Sequence, residues 1–206
     1  MSFGDVSGTS NLNFTSQFIL QPELIRFWGY SAEEHYVITE DGYILGMHRI
    51  PNSGPPVFLA HGLTSSSAQW VFGPPEKSLG YLLADAGYDV WMGNTRGNTY
   101  SKNHVEFDTC SRCEEFWSYC FDDSGVKDYS AEIDYILDKT GYEKLHFVGH
   151  SMGGTQYVVR FSIVFNLQQN ISRHFMKDIC GLFTVSCRFY CLKDLNIMTK
   201  SMRLTF

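Results

Sequence analysis

Most of the features that would assign this chain quickly are missing from it. No apolar run reaches the roughly 20 residues that a membrane-spanning helix needs. Met1 to Phe18 is polar and lacks the basic start and apolar stretch of a secretory signal. There is no block of Lys and Arg to offer nucleic acid an electrostatic footprint. The net charge is −6 and unevenly spread: residues 1–159 hold 9 basic and 20 acidic side chains, residues 160–206 hold 7 and 2, and the basic tail is interleaved with apolar residues. Nucleic acid therefore drops out as a partner. Cysteine is too sparse for a metal framework. Of the six, at 110, 113, 120, 180, 187 and 191, only Cys110-Ser111-Arg112-Cys113 has C-x-x-C spacing. A tetrahedral zinc site would want a second close pair, and Cys187 and Cys191 are four apart in a segment of different composition. The thiols read as free or incidentally paired, and no metal or cofactor is expected. The sequons at Asn13 and Asn170 would matter only in the secretory pathway.

What is present suits one globular domain: 206 residues, 44% hydrophobic and 16% aromatic, are enough to bury a sizeable core. Residues 1–21 read as a polar leader. His35–Thr39 and Tyr43–His48, bracketing Glu40-Asp41-Gly42, predict a β-hairpin. Val57–Ala60, a short apolar run between Pro55-Pro56 and His61-Gly62, predicts a strand buried on both faces. A helix over Glu76–Ala86, a strand over Tyr88–Met92, a helix over Val126–Lys139 and a strand over Leu145–Val148 follow. Strands alternating with helices imply a mostly parallel sheet joined by right-handed crossovers and flanked by helices. Beyond the charge seam near residue 160, residues 160–206 read as a divergent tail with room for the end of one helix (Gln156–Asn166) and one strand (Ile179–Val185).

Gly149-His150-Ser151-Met152-Gly153 fits G-x-S-x-G, and it sits between a predicted buried strand and a predicted helix. That is where the nucleophile elbow of an α/β-hydrolase belongs. A turn this tight forces the serine into a strained conformation that lifts its Oγ off the sheet, and Gly149 and Gly153 remove the clashes that side chains two residues away would cause. The helix N-terminus favours negative charge developing on a bound ester. Two backbone N–H groups normally receive that oxyanion. Met152, next to the serine, supplies one, and Leu63, in His61-Gly62-Leu63 after the Val57–Ala60 strand, supplies the other.

Several segments together resemble the acid-lipase family of α/β-hydrolases, which includes gastric and lysosomal acid lipases: Pro22-Glu23-Leu24-Ile25 with Trp28-Gly29-Tyr30, Glu40-Asp41-Gly42-Tyr43-Ile44-Leu45, His61-Gly62-Leu63 with Ser65-Ser66-Ser67, Asn94-Thr95-Arg96-Gly97-Asn98, and the elbow itself. The resemblance covers residues 22–159, read as the N-terminal part of the hydrolase domain. It implies Ser151 as nucleophile, Leu63 and Met152 as oxyanion donors, and neutral lipid esters, triacylglycerols or sterol esters, as substrates in lipid catabolism. Family members are secreted or lysosomal, whereas no signal peptide is visible here. Met152 departs from the Gln often found after the family's serine, which leaves the backbone donor intact.

In this fold the acid and the histidine follow the serine in chain order. Only His174, Asp178 and Asp194 stand among the 55 residues after Ser151, all closer than the family places them. The expectation is a lipase domain truncated after the elbow and its helix, weakly active or inactive as it stands. The alternative is a non-catalytic half-domain that binds a lipid or a partner chain.

Overall fold

The computed structural model of the protein describes residues 21–107 and 113–167, without the side chains of Cys113 and of residues 161–167. The leader, the Ile179–Val185 strand, His174, Asp178, Asp194, both sequons and cysteines 110, 180, 187 and 191 lie outside the described residues.

A short helix α1 (Gln21–Phe27) leads into the hairpin of β1 (Glu33–Ile38) and β2 (Tyr43–Ile50). β3 (Pro56–Ala60) is buried along its whole length. Where one helix over Glu76–Ala86 was expected, the chain makes a 3-10 turn at Pro75–Lys77 and then α2 (Leu79–Asp85). Pro74 and Pro75 lock φ and withhold N–H donors, and Ser78, at φ −104° and ψ 122°, interrupts the helical run between them. β4 (Asp89–Met92), a two-residue β5 (Asn103–His104) and the short helices α3 (Cys113–Phe116) and α4 (Phe121–Asp123) follow. A π-helical turn (Ser124–Asp128) runs into α5 (Tyr129–Thr140), then come β6 (His146–Gly149) and α6 (Met152–Leu167).

The sheet order is β1-β2-β4-β3-β6, with β5 beside the start of β2. β4, β3 and β6 run parallel, while β2 is antiparallel to both β1 and β4. Alternation along each strand builds two cores. Val57, Leu59, Val90, Met92 and Val148 face Ile25, Trp70, Tyr81 and Leu83 on one side. Phe58, Ala60 and Trp91 face Tyr129, Ile133 and Ile136 on the other. The result is three layers, α1 and α2 below the sheet and α5 above, with α6 brought onto the α5 side where Tyr157 stacks on Phe147 at 4.0 Å. β6, expected to be fully buried, is only half-buried at His146 and Phe147, because among the described residues it is the outermost strand.

Glu132 of α5 is wholly buried beneath the sheet's carboxyl edge. Its Oε1 accepts from the Asn94 N–H at 3.0 Å, while Oε2 has no partner among the described residues. Burial, reinforced by nearby Asp128, pushes the carboxyl well above the ordinary glutamate range. Burial thus favours its neutral form in the folded state. The unfolded chain carries it ionised at neutral pH, so the folded state binds the extra proton, and stability is full below the ordinary glutamate pKa and falls as pH rises. Glu132→Gln keeps an acceptor for Asn94 and removes the titration. In urea unfolding at pH 5 and pH 8, we expect wild type to lose stability with pH relative to Glu132→Gln, by as much as about 1.4 kcal/mol per unit. Identical pH dependence in the two proteins would mean that Glu132 folds ionised.

Candidate active site

Ala60 and Gly149 are opposite partners in the parallel β3–β6 pair, so both strands end together and their following loops leave the sheet side by side. The His150 N–H donates to the Ala60 carbonyl at 2.9 Å and ties the two loops at their base. Crevices beyond the carboxyl ends of parallel strands are where open α/β sheets bind ligands.

Ser151 comes next, at φ +51°. This left-handed conformation costs a non-glycine residue about 1–2 kcal/mol. α6 begins at the following residue, and the Ser151 carbonyl accepts from the Gly154 and Thr155 N–H groups at 3.1 and 3.3 Å, so the serine itself opens the helix. It is solvent-exposed. Both flanking glycines stand at close approaches. A Cβ on Gly153 would lie 2.6 Å from the carbonyl oxygens of Ala60 and His61, and one on Gly149 would lie 2.6 Å from the Gly154 nitrogen.

The facing loop is a tight turn. The Gly62 carbonyl accepts from the Ser65 N–H at 3.2 Å, and Thr64 sits at φ +60°. Thr64 and Ser151 are the only non-glycine residues with positive φ among those described, and a β-branched residue is especially ill suited to it. Backbone strain thus gathers on both sides of one crevice. Around it the N–H groups are spoken for: Gly62 donates to the Gln69 side chain, Gly153 to His150, and Gly154 to Ser151. Those of Leu63 and Met152 have no acceptor among the described residues. The Leu63 side chain is 69% exposed, and Phe72, 82% exposed, lines with Thr64, Ser65, Gln69 and Thr99 an open cleft of about 310 Å³.

Four of the histidines that precede the elbow are employed elsewhere. His35 bonds to Tyr135 and Glu33, and His104 to the Asp41 carbonyl and the Glu106 N–H. His48 lies beside Ser67 and Glu34, with burial pushing its pKa down to about 4. His61 is buried between Gly62 and the 94–98 loop. None of these bonds reaches Ser151.

A buried ion cluster braces the same loop, and nothing in the local sequence pattern announced it. Arg96 donates to Asp128 through Nε at 2.8 Å and to Asp41 through both terminal nitrogens at 2.7 and 3.0 Å, over the Tyr43 ring. Burial opposes the guanidinium charge, but the two carboxylates outweigh it and raise its pKa further. Asp41 in turn is held well below the usual carboxylate range: burial works against it, and bonds from Arg96, Thr39 and Lys127 prevail.

Residues 55–159 match the family described as alpha/beta hydrolase fold, and residues 21–73 match the partial alpha/beta-hydrolase lipase region. The chain is 46% identical to gastric triacylglycerol lipase of Mus musculus over 162 residues, 74% of this chain and 40% of that one. It is 44% identical to human lysosomal acid lipase/cholesteryl ester hydrolase over the same shares. It thus spans about 40% of the length of these curated relatives. A solved esterase of Pyrococcus furiosus superposes with a TM-score of 0.50 at 20% identity, over 64% of this chain and 44% of the other. The sheet order, the strained serine between strand and helix, and these matches agree, and the chain belongs to the α/β-hydrolase fold family, with gastric and lysosomal acid lipases among its relatives.

Proposed function

We propose that this chain carries the nucleophile half of a carboxylic ester hydrolase acting on neutral lipid esters, triacylglycerols or sterol esters. The observation that carries the reading is Ser151 at φ +51° at the head of α6, across a crevice from Leu63, with the Leu63 and Met152 N–H groups uncommitted among the described residues. In this reading the Ser151 Oγ adds to the ester carbonyl carbon as its proton passes to a base. The former carbonyl oxygen takes the electron pair as an oxyanion, received by the two N–H groups. Collapse expels the alcohol, which takes the proton back, and water then releases the fatty acid. The exposed Leu63 side chain beside the crevice suits an acyl chain, and the names of the relatives favour triacylglycerol or cholesteryl ester.

A serine without a base is a weak nucleophile. The bonds of His35, His48, His61 and His104 are made elsewhere, His174 is the one histidine that follows Ser151 in the sequence, and we read these residues as weakly active alone. A fluorophosphonate probe and a chromogenic short-chain ester, each run on wild type and Ser151→Ala, make the test. We expect slow labelling that disappears in Ser151→Ala, with turnover about six powers of ten below that of a complete triad. Fast, Ser151-dependent turnover would mean that His174 or another group acts as base. No Ser151-dependent labelling, with retained binding of triolein vesicles, would favour the non-catalytic lipid-binding reading.

A further inference from the structure

We propose that His61 is a positioning residue: as a neutral imidazole protonated on Nδ1, it holds the plane of the Gly62–Leu63 peptide and so aims the Leu63 N–H into the crevice. The proposal rests on the reading of Leu63 as an oxyanion donor, but its physical basis is separate. The His61 Nδ1 lies 2.8 Å from the Gly62 carbonyl oxygen. That carbonyl and the Leu63 N–H belong to one planar trans peptide unit, so fixing one fixes the direction of the other. The second contact on the same oxygen, from the Ser65 N–H, uses its other lone pair.

The tautomer follows from donors that have no choice. The Thr95 backbone N–H points at Nε2 from 3.3 Å, and a backbone amide can only donate. The Asn98 Nδ2 lies 3.1 Å from the same nitrogen. Its amide orientation is set in turn, because the Asn98 Oδ1 accepts from the Tyr100 N–H at 2.8 Å while Nδ2 also donates to the Asn94 Oδ1. Nε2 is therefore the acceptor, and the single proton of the neutral ring sits on Nδ1, facing the Gly62 carbonyl. The ring is 2% exposed, which disfavours a second proton, and burial lowers its pKa. A histidine used only for packing would need neither polar edge satisfied in this order. Here the loop after β4 dictates the proton position, and the proton position dictates where a peptide dipole beside the crevice points.

The test uses the full chain, labelled with 15N, and two variants that separate the two edges of the ring. His61→Asn keeps an N–H at the Nδ1 position and gives up the Nε2 acceptor. His61→Gln keeps an acceptor near Nε2 and gives up the Nδ1 donor. In wild type we expect the ring-nitrogen spectrum to show protonation at Nδ1 alone from pH 5 to 8. The Leu63 amide resonance should stay in place in His61→Asn and move in His61→Gln. The Ser65 amide, which shares the Gly62 carbonyl, should exchange about tenfold faster in His61→Gln only, with the β3 amides unchanged in both. An Nε2-protonated or charged ring in wild type overturns the proposal, and so does equal displacement of Leu63 in the two variants. None of these readouts depends on Ser151 chemistry, so they stand or fall apart from the labelling result with Ser151→Ala.

Discussion

Replacing Arg96 with methionine is expected to cost about 3–5 kcal/mol, enough to remove most of the stability of a domain this size. Methionine matches the length of the arginine stem and preserves the apolar contact with Tyr43, so the loss comes from the charges left behind. The Asp128 side chain is wholly buried, and besides the Arg96 guanidinium it accepts, among the described residues, only the Arg96 backbone N–H, at 2.9 Å. Asp41, half-buried, would keep Lys127 at 3.0 Å and is the lesser problem. Urea unfolding of Arg96→Met, Arg96→Lys and the double variant Arg96→Met/Asp128→Leu separates the causes. Arg96→Lys should fall between wild type and Arg96→Met, since one ammonium cannot serve two carboxylates bidentately. The double variant should recover much of the loss, because an apolar pair of similar volume tolerates burial better than a lone carboxylate does. A double variant no more stable than Arg96→Met would show that the cluster works through shape and not charge.

Gly153→Ala should be nearly as damaging, at about 3 kcal/mol, for an opposite reason: one added methyl has nowhere to go. Its neighbours would be the Ala60 and His61 carbonyl oxygens at 2.6 Å, backbone at the end of a strand bonded on both sides. A flexible side chain could swing aside from such a contact, but these oxygens cannot. The helix must lift off β3, and lifting it moves the Met152 N–H away from the Leu63 loop. Thermal unfolding together with probe labelling of Ser151 checks both effects. A Gly153→Ala protein that melts within about 2 °C of wild type, a difference of about 1 kcal/mol or less for a chain of this length, would mean that the elbow has slack.

Much of this fold was legible because its signals are local. Val57–Ala60 and Tyr88–Met92 are short apolar runs closed by Pro and Gly. Glu40-Asp41-Gly42 is turn chemistry between alternating strands, and the elbow glycines lie within two residues of the serine they serve. Failures came where structure depends on distant partners or on a residue caught between two preferences. Ser78 broke a helix that the apolar spacing joined. Arg96 reads as one more loop charge until Asp41, 55 positions away, and Asp128, 32 away, are brought to it. No feature of the string His61-Gly62-Leu63 says that Asn98 will set the His61 proton. Thr64 gave no warning at all, since threonine is unexceptional in a loop and becomes exceptional only at φ +60°.

The strain at Ser151 has a bearing on which changes this position can accept. For folding alone, the residue best suited to φ +51° is glycine, which has no Cβ to crowd the neighbouring carbonyl. Next come asparagine and aspartate, which tolerate that conformation better than most. None of these carries a hydroxyl. With Ser151 as the proposed nucleophile, selection for a sturdier chain and selection for that role would pull this one codon in different directions, and release from the second pressure would favour glycine. Serine held there is the choice that the fold by itself does not make.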